Sequence, residues 1–221
     1  MNELISVIIP VKNGSNYIKE AIEGIKKQNM NTEIIVVDDC SDDNTVEIAK
    51  NLGCVVIQHE KTKGQVAGKN SGIKISKGKY IIFHDHDDVM EEGSLKRLYD
   101  ELLKDDSLSA AEGKVLDFYS PDLSKEEREK IKIKEEAYWG LFTGAILMKK
   151  DVFDKIGLFN ESVHTGEIIE WQSKMNLNNL KIKKIDFIST KRRVHLTNFG
   201  KTNQKTEFQN YASILRAKLK R

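Results

Sequence analysis

Four short apolar runs in the first hundred residues, each followed by a segment with helical spacing, constrain the fold more than any other feature. The runs are "LISVIIPV", "EIIVVDD", "CVVIQHE" and "KYIIFHD". Strands buried on both faces are apolar along most of their length, and strands that alternate with helices form parallel sheets. The pattern therefore predicts an α/β fold with a mostly parallel central sheet flanked by helices.

The second half of the chain is less regular. "SLSAAEGKVLDFYS" and "KIKKIDFIST" predict strands, "GEIIEWQSKMNLNNL" predicts a helix, and "LFTGAILMKKDVFDKIGLFNES" predicts a strand, a helix and a turn. The charged stretch "PDLSKEEREKIKIKEEAYWG" is typical of a solvated loop or a short surface helix. The regular alternation of the first half does not continue here.

The last segment, "QKTEFQNYASILRAKLKR", predicts an amphipathic helix. Residues 201–221 contain six Lys or Arg side chains and one Glu, so this helix is basic. We expect it to dock on its own domain, on a partner protein or, peripherally, on an anionic membrane surface.

The composition is that of an ordinary globular protein with one sizeable domain, being 39% hydrophobic and 32% charged. A net charge of only +2 gives no overall field that favours nucleic acid, so no nucleic-acid partner is predicted. The N-terminal apolar run is too short for a signal peptide, and no stretch approaches the length of a membrane span. Cys40 and Cys54 form no CxxC pair, which argues against a zinc ribbon. These features predict a cytoplasmic protein, peripheral to the membrane at most.

Three of the predicted strands end in polar clusters, "PVKNG", "VDDCSDD" and "FHDHDD". In an open parallel sheet, ligands bind beyond the carboxyl ends of the strands, so these clusters should converge on one crevice. We expect Asp38 and Asp39 to face that crevice. Asp42 or Asp43 is expected to cap the helix that follows, where a carboxylate is favoured.

The cluster "FHDHDD" brings three carboxylates and two imidazoles together. If the strand continued to residue 87, alternation would place Asp85 and Asp87 on one side and His84 and His86 on the other. Two carboxylates suit Mg²⁺ or Mn²⁺, whereas two imidazoles would suit zinc. Asp88 is most simply a cap or turn residue.

Four blocks resemble, in order and spacing, the family 2 glycosyltransferases: "SVIIPVKNGSNYIKEAIEGI", "EIIVVDDCSDDNTVEIAK", "GQVAGKNSGIKISKGKYIIFHDHDDVM" and "GAILMKKDVFDKIGLFNES". The resemblance implies a Rossmann-like GT-A fold over residues 1–200. Residues 1–105 would form the nucleotide-binding half and residues 106–200 the acceptor half, with residues 201–221 as the appended helix.

The same resemblance implies a metal-dependent inverting glycosyltransferase. Its donor would be a nucleotide sugar, a UDP-sugar by preference, and its acceptor a glycan, a peptide or a small molecule. "GEIIEW" and "RRVHLTN" look like the variants in glycosyltransferases found beside natural-product peptide genes, which hints at a peptide acceptor.

The resemblance also assigns roles at the strand ends. "DHD" stands at the family's DxD motif, which implies that Asp85 contacts the ribose or base and that Asp87 binds Mn²⁺ or Mg²⁺. Asp39 is similar to the family's uracil-binding Asp. Pro10 and Val11 match positions whose backbone borders the base.

Further nucleotide-binding candidates flank these positions. Asp38 and His86 lie next to the carboxylates just named, although packing and hydrogen bonding are the simplest roles for His86. Lys69 in "GKNSG" stands where the family often has Arg, and either cation could contact the nucleotide. Lys12 replaces the family's usual aromatic residue, so base stacking is not expected there.

At the general base, this chain departs from the family pattern. In the family it is the Asp of an "ED" pair, and the matching text here is "TGEIIEWQSK". Glu167 matches the Glu, but Ile168 stands in place of the Asp. Glu170 lies one helical turn further on, on the same face. Either Glu could be the base, and Glu167 is favoured.

Outside these blocks, His195 matches a histidine that follows the last core strand in the family and can complete the metal site. Arg192 and Arg193 are candidates for phosphate contacts. Trp139 and Trp171 would either stack on a sugar or lie in the core.

Two other functions stay open from the sequence alone. A nucleotidyltransferase of related fold would carry a Gly-rich, Arg-bearing loop after the first strand, which "PVKNGSNY" lacks. A catalytically silent nucleotide-sugar-binding protein is favoured by the missing Asp at position 168 and disfavoured by the intact Asp85 and Asp87.

Overall fold

A computed structural model describes residues 3–140, 142–163 and 166–198 of the chain. The strands in this part are β1 Ile5–Val11, β2 Thr32–Asp38, β3 Val55–Gln58, β4 Tyr80–Phe83, β5 Val89–Met90, β6 Leu108–Tyr119, β7 Ile146–Lys149 and β8 Lys181–Val194. The α-helices are α1 Ile18–Lys26, α2 Thr45–Asn51, α3 Gln65–Ile75, α4 Ser94–Lys104, α5 Lys125–Lys130, α6 Val152–Ile156 and α7 Glu167–Leu177.

The strands form one sheet in the order β3-β2-β1-β4-β7-β6-β8-β5. The first four in this order are parallel to one another, as the alternation of the first half predicts. The second half adds β7 antiparallel to both β4 and β6, β8 parallel to β6, and β5 antiparallel to β8. The carboxyl ends of β1, β2 and β4 therefore meet at one edge.

Helices cover both faces of the sheet, so β1 is buried along its whole length. Alternate residues of β1 join opposite cores. Ile5, Val7 and Ile9 pack with apolar side chains of α1 and α4, whereas Ile8 packs with those of α3, α6 and α7. This double coverage explains why the strand sequence is apolar without alternation.

Helix α3 lies unusually close to β1, which accounts for its glycines. A Cβ on Gly72 would overlap the Cγ2 methyl of Ile8, and one on Gly68 would lie 2.9 Å from the Cβ of Pro10. Any larger side chain would push the helix off the sheet. Close packing thus holds α3 beside the carboxyl end of β1, with Lys69 on its second turn.

The charged stretch after β6 contains the short helix α5. It begins with a capping box, in which Ser124 accepts from the Glu127 N–H and the Glu127 side chain accepts from the Ser124 N–H. The prediction of a solvated loop or short helix is confirmed there. The predicted helix within residues 201–221 lies outside the described residues. Of the helices that the structure describes, none is long and apolar enough to cross a membrane.

Candidate functional site

The loops after β1, β2 and β4 converge as the sequence predicts. The Asn13 N–H donates to Ser41 Oγ at 2.8 Å, which joins the loop after β1 to the loop after β2. A Cβ on Gly14 would lie 2.6 Å from His86 Cδ2, so the loop after β4 packs against the same residue. One polar edge therefore gathers three segments that are far apart in the sequence.

Asp43 fastens two of these loops together. Its Oδ2 accepts from the Ser15 N–H at 3.0 Å, and its Oδ1 accepts from the N–H of Thr45 at 3.0 Å. The N-cap position of α2 is Asn44, whose side chain makes no cap bond, and Asp42 is exposed. Burial opposes ionisation, but the hydrogen bond from the Thr45 hydroxyl, together with these backbone bonds, lowers the pKa of Asp43 to about 2.

Replacing Asp43 by asparagine is expected to destabilise the protein by about 1 kcal/mol at pH 7. A pKa unit corresponds to ~1.36 kcal/mol, and the value is discounted because the carboxylate is partly exposed. The folded pKa lies below the unfolded value of 3.8, so the stabilisation is present above pH 4 and fades as the pH falls toward 2. Urea unfolding at pH 7 and pH 3 tests this. Asp42→Asn is the control, and equal losses for both variants at pH 7 would contradict it.

Asp39 follows β2 directly and is held by three donors. Its Oδ1 accepts from the Lys63 N–H and contacts His59 Nδ1, both at 2.8 Å, and its Oδ2 accepts from the Gly64 N–H at 2.8 Å. Burial alone would raise the pKa of Asp39, but these bonds outweigh it and lower the pKa. Asp38, beside it, is 1% exposed and accepts from the Ser41 N–H.

Strand β4 ends at Phe83, and residues 84–88 turn away. The strict alternation expected through residue 87 therefore does not apply. His84 is fully buried, and burial lowers its pKa to about 4, in keeping with a packing role. Asp88 accepts from the Arg193 N–H at 2.9 Å, and burial raises its pKa well above the ordinary value.

The structure brings Asp87 and His195 together across 108 positions of sequence. Asp87 Oδ2 lies 2.9 Å from His195 Nε2. The other ring nitrogen, Nδ1, lies 2.8 Å from Thr197 Oγ1. Burial would raise the pKa of Asp87, but the contact with His195 and the charge of His86 hold it below the ordinary value. The two side chains therefore meet at one position, with a carboxylate oxygen next to a ring nitrogen.

The two arginines beside His195 already have partners within the fold. The buried Arg193 donates to the Asp87 carbonyl at 2.8 Å and to Glu20 Oε2 at 2.6 Å. Arg192 pairs with Asp117, with 3.2 Å between Nε and Oδ1. Arg193 thus supports the turn that carries Asp87, and its phosphate role stays a prediction.

Lys69 links the two halves of the site. Its ammonium donates to Glu167 Oε1 and, at 2.9 Å, to Thr143 Oγ1. Lys69 and Glu167 are 3% and 7% exposed, so this is a buried ion pair. Burial raises the pKa of Asp85, and the positive charge of Lys69 opposes that rise. The Lys69 ammonium therefore interacts electrostatically with Asp85, a candidate nucleotide-binding residue, and forms an ion pair with Glu167, a candidate base.

The other candidate base is more exposed. Glu170 Oε2 accepts from Asn160 Nδ2 at 3.0 Å, and its Oε1 lies 3.0 Å from Lys174 Nζ. Its side chain is 28% exposed. Ile168, which replaces the family's Asp, is 3% exposed and packs in the apolar core.

The tryptophans occupy different environments. Trp171 is 2% exposed and lies in the core between the sheet and α7. Trp139 is 42% exposed, with the ammonium of Lys114 4.4 Å from its ring centroid. Of the two, only Trp139 is accessible for stacking on a ligand.

Three residues of the site were not predicted from the sequence: His59, Gln65 and Thr143. His59 follows β3, and its contact with Asp39 could have been suspected from its position at a strand end. Gln65 Nε2 donates to Asp85 Oδ1 at 2.9 Å. Thr143 lies in a 3₁₀ turn before β7, and no local pattern points to its contact with Lys69.

The family described as "Glycosyl transferase family 2" matches residues 6–157. Because this match covers more than half of the 221 residues, the chain belongs to glycosyl transferase family 2. The resemblance of the four sequence blocks is thereby confirmed.

Two curated relatives illustrate the similarity. Glycosyltransferase GlyG of Streptococcus pneumoniae serotype 4 is 41% identical over 113 residues, covering 48% of this chain and 38% of that protein. Uncharacterized glycosyltransferase RP339 of Rickettsia prowazekii is 34% identical over 173 residues, covering 72% of this chain and 54% of that protein. The chain thus spans about half or less of the length of these relatives.

Solved structures share the architecture. The crystal structure of S. aureus TarS 1-349 has a TM-score of 0.68 and 22% identity, covering 86% of this chain and 60% of that one. The mannosyltransferase PcManGT from Pyrobaculum calidifontis, solved with GDP-Man and Mn²⁺, has a TM-score of 0.73 and 15% identity, covering 98% of this chain and 65% of that one. At such identities the likeness shows the fold, which is the GT-A fold.

Proposed function

We propose that this chain is a metal-dependent inverting glycosyltransferase that moves a sugar from a nucleotide-sugar donor, a UDP-sugar by preference, to an acceptor. The observation that carries the proposal is the Lys69 contact, because it joins the nucleotide-binding edge to α7. The Lys69 ammonium pairs with Glu167 and acts electrostatically on Asp85. A transferase needs donor ligands and a base around one reacting centre.

The donor class is supported from two sides. Asp38, Asp39, Asp85 and His86 lie at the converging strand ends, with the Pro10–Val11 backbone beside them. Solved relatives of the same fold are recorded in complex with UDP, UDP-GlcNAc and GDP-Man. An ionised Asp39 accepts hydrogen bonds only, so it suits a base that offers an N–H, as uracil does at N3.

The Asp87–His195 contact fits a divalent metal ion. Ligand atoms at adjacent corners of an octahedral ion with bonds of ~2.0–2.1 Å lie about 3 Å apart. The separation of Asp87 Oδ2 and His195 Nε2 is 2.9 Å. No cluster of three or more metal-binding side chains occurs among the described residues. Two protein ligands suit Mn²⁺ or Mg²⁺, because phosphate oxygens and water molecules fill the remaining coordination positions of these ions. When bound, such an ion would neutralise charge on the leaving diphosphate.

Glu167 is the favoured base in this proposal. A general base must be held in place, and the Lys69 ammonium holds the Glu167 carboxylate by a buried contact. Glu170 and Glu167 border one small cleft together with Trp171, so both carboxylates are near the same space. The role of Glu167 is to accept the acceptor's proton during attack on the sugar.

The acceptor in this proposal is a glycan, a peptide or a small molecule. Contact of residues 201–221 with a protein or an anionic membrane surface belongs to the same proposal. The acceptor's chemistry is best approached by offering peptides and glycans to the chain loaded with its donor.

A catalytically silent nucleotide-sugar-binding protein is the second candidate. The observation in its favour is Ile168, which is buried in the core where the family places a carboxylate. A nucleotidyltransferase finds no comparable support in the described residues. The presence of Glu167, paired with Lys69, favours a glycosyltransferase over a silent binding protein, because a carboxylate remains that could act as the base.

Release of UDP from a panel of UDP-sugars, with and without Mn²⁺, tests the proposal. We expect metal-dependent release from at least one donor, by slow hydrolysis without an acceptor and faster with the right one. A GDP-sugar arm covers the other donor class among the structural neighbours. Tight binding of a donor without turnover under any condition would favour the silent protein instead.

A further inference from the structure

The Asp39 carboxylate is nearly saturated by donors from its own chain. An ionised carboxylate has about four acceptor positions. The Lys63 N–H and His59 Nδ1 occupy two on Oδ1, and the Gly64 N–H occupies one on Oδ2. Within the described part of the chain this leaves one position on Oδ2. The Asp39 side chain retains 9% exposure, so it is not fully closed off from solvent.

The contacts of His59 fix its tautomer. An ionised carboxylate only accepts hydrogen bonds, so Nδ1 must carry the proton that is donated to Asp39. In neutral His59, Nε2 is then an acceptor, and Ser71 Oγ lies 3.0 Å from it. A chain of hydrogen bonds thus runs from Ser71 through His59 to Asp39. It fixes the orientation of the imidazole and, through it, that of the carboxylate. The His59 side chain is 4% exposed, so water does not compete for these bonds.

The same loop connects the two carboxylates that are expected to hold the nucleotide. The Gly64 N–H donates to Asp39, and the next side chain, Gln65, donates to Asp85 Oδ1 at 2.9 Å. Cys40 adds a further tie, since its Sγ donates to the His59 carbonyl at 3.1 Å. The loop between β3 and α3 therefore sets the spacing of Asp39 and Asp85.

We propose that His59 is a positioning residue for nucleobase selection: it holds Asp39 so that the remaining acceptor position on Oδ2 receives the N3–H of uracil. This rests on the proposed function, in which the chain binds a UDP-sugar. Uracil carries a hydrogen on N3, whereas neutral cytosine presents a lone pair there and would repel a carboxylate. Loss of the His59 contact leaves the Lys63 and Gly64 N–H groups as donors to Asp39 within the described part of the chain. The carboxylate is then held less firmly, and discrimination between the two bases falls.

Calorimetric binding of UDP and CDP, in the presence of Mg²⁺, tests the proposal without any turnover. The decisive pair is His59→Asn and His59→Gln. The amide of Asn reaches the place of Nδ1 and keeps a donor for Asp39, whereas the amide of Gln reaches the place of Nε2. We expect His59→Asn to keep the UDP-to-CDP affinity ratio within about threefold. His59→Gln should lower that ratio about tenfold, which is ~1.4 kcal/mol.

A kinetic readout separates positioning from general damage. His59 and Asp39 contact no reacting atom in the proposal, so His59→Gln should raise the donor KM about tenfold and leave kcat within about twofold. Gln58→Ala is the control, because Gln58 is the exposed last residue of β3, directly before His59. It should leave both affinities unchanged.

The outcomes are distinguishable. If the unaltered protein binds neither UDP nor CDP, the UDP-sugar donor of the proposed function fails, and the inference about His59 fails with it. If it binds UDP and His59→Gln keeps the same UDP-to-CDP ratio as His59→Asn, the inference about His59 is overturned. A parallel loss of UDP and CDP affinity in His59→Gln also overturns it, because that pattern reports damage to the fold rather than to base selection.

Discussion

Replacing Asp87 by alanine is expected to abolish the stabilisation that a UDP-sugar and Mn²⁺ together confer on the protein. Ligand binding stabilises a fold by RT ln(1 + [L]/Kd), which is ~2.7 kcal/mol at a hundredfold excess over Kd. For a chain of this size that corresponds to a rise in Tm of about 5–10 °C. In Asp87→Ala the shift should fall to the level seen with nucleotide sugar and no metal.

The reason lies in the geometry around Asp87. Its Oδ2 and His195 Nε2 lie 2.9 Å apart, a spacing suited to two ligands of one metal ion. Removing the carboxylate leaves a lone imidazole, which is a weak site for Mn²⁺ or Mg²⁺ because both prefer oxygen ligands. Turnover should fall with binding, by about a thousandfold, since the charge of the departing diphosphate is no longer neutralised.

The unliganded variant should remain folded. Asp87 loses its contact with His195, but its negative charge also raises the pKa values of Asp85 and Asp88, so its removal relieves that repulsion. Asp186→Asn, which neutralises a carboxylate 76% exposed on β8, is the matched control for thermal shifts. A metal-dependent shift in Asp87→Ala as large as in the unaltered protein would show that the metal is bound elsewhere.

The sequence predicted the parallel part of the fold because each of its elements carries its own signal. The β1 run is apolar throughout, and the structure buries it between two helical layers. The strands of the second half were predicted, but not their order or direction. Insertion of β7 antiparallel to β4 depends on contacts between residues about seventy positions apart, and no local period encodes such contacts.

The site divides in the same way. Asp39, Asp85 and Asp87 were expected at one edge because the ends of parallel strands gather there, and their roles, taken from the family resemblance, stay predictions. The predicted alternation of side chains between the two faces of the strand does not hold after Phe83, because the strand ends there and the backbone turns. The spacing of residues along a strand does not indicate where the strand ends. The contact of Lys69 with Thr143 could not be predicted, since it spans 74 positions and joins elements with no shared motif.

The largest expected effects on stability come from the Lys69–Glu167 pair. Glu167→Gln or Lys69→Met alone should each lower the free energy of unfolding by about 3–5 kcal/mol. Each leaves a buried charge without its partner. The double variant should lose much less free energy of unfolding than the two single variants added together. Both buried charges are then absent, and Met and Gln have side-chain volumes close to those of Lys and Glu. Urea unfolding of the four proteins gives the coupling energy directly.

A matched exposed pair calibrates the measurement. Lys155 and Asp151 lie one turn apart at 2.8 Å, with side chains 50% and 53% exposed. Asp151→Asn should cost less than about 0.5 kcal/mol, since exposed pairs contribute little. If Glu167→Gln costs no more than Asp151→Asn, the pair is not buried in solution as it is in the structure.

Measuring the turnover of the same variants distinguishes a structural role of the Lys69–Glu167 pair from a catalytic one. The double Lys69→Met/Glu167→Gln variant should regain stability without regaining turnover, because a general base contributes about 10²–10⁴ in rate and an amide cannot replace it. Glu170→Gln, one turn further along α7, should retain most of its rate if Glu167 is the base. The reverse result, with Glu170→Gln inactive and the stable double variant active, would assign the base to Glu170. The buried Lys69–Glu167 pair would then stabilise the fold and have no role in proton transfer, although Glu167 matches the Glu of the family's "ED" pair.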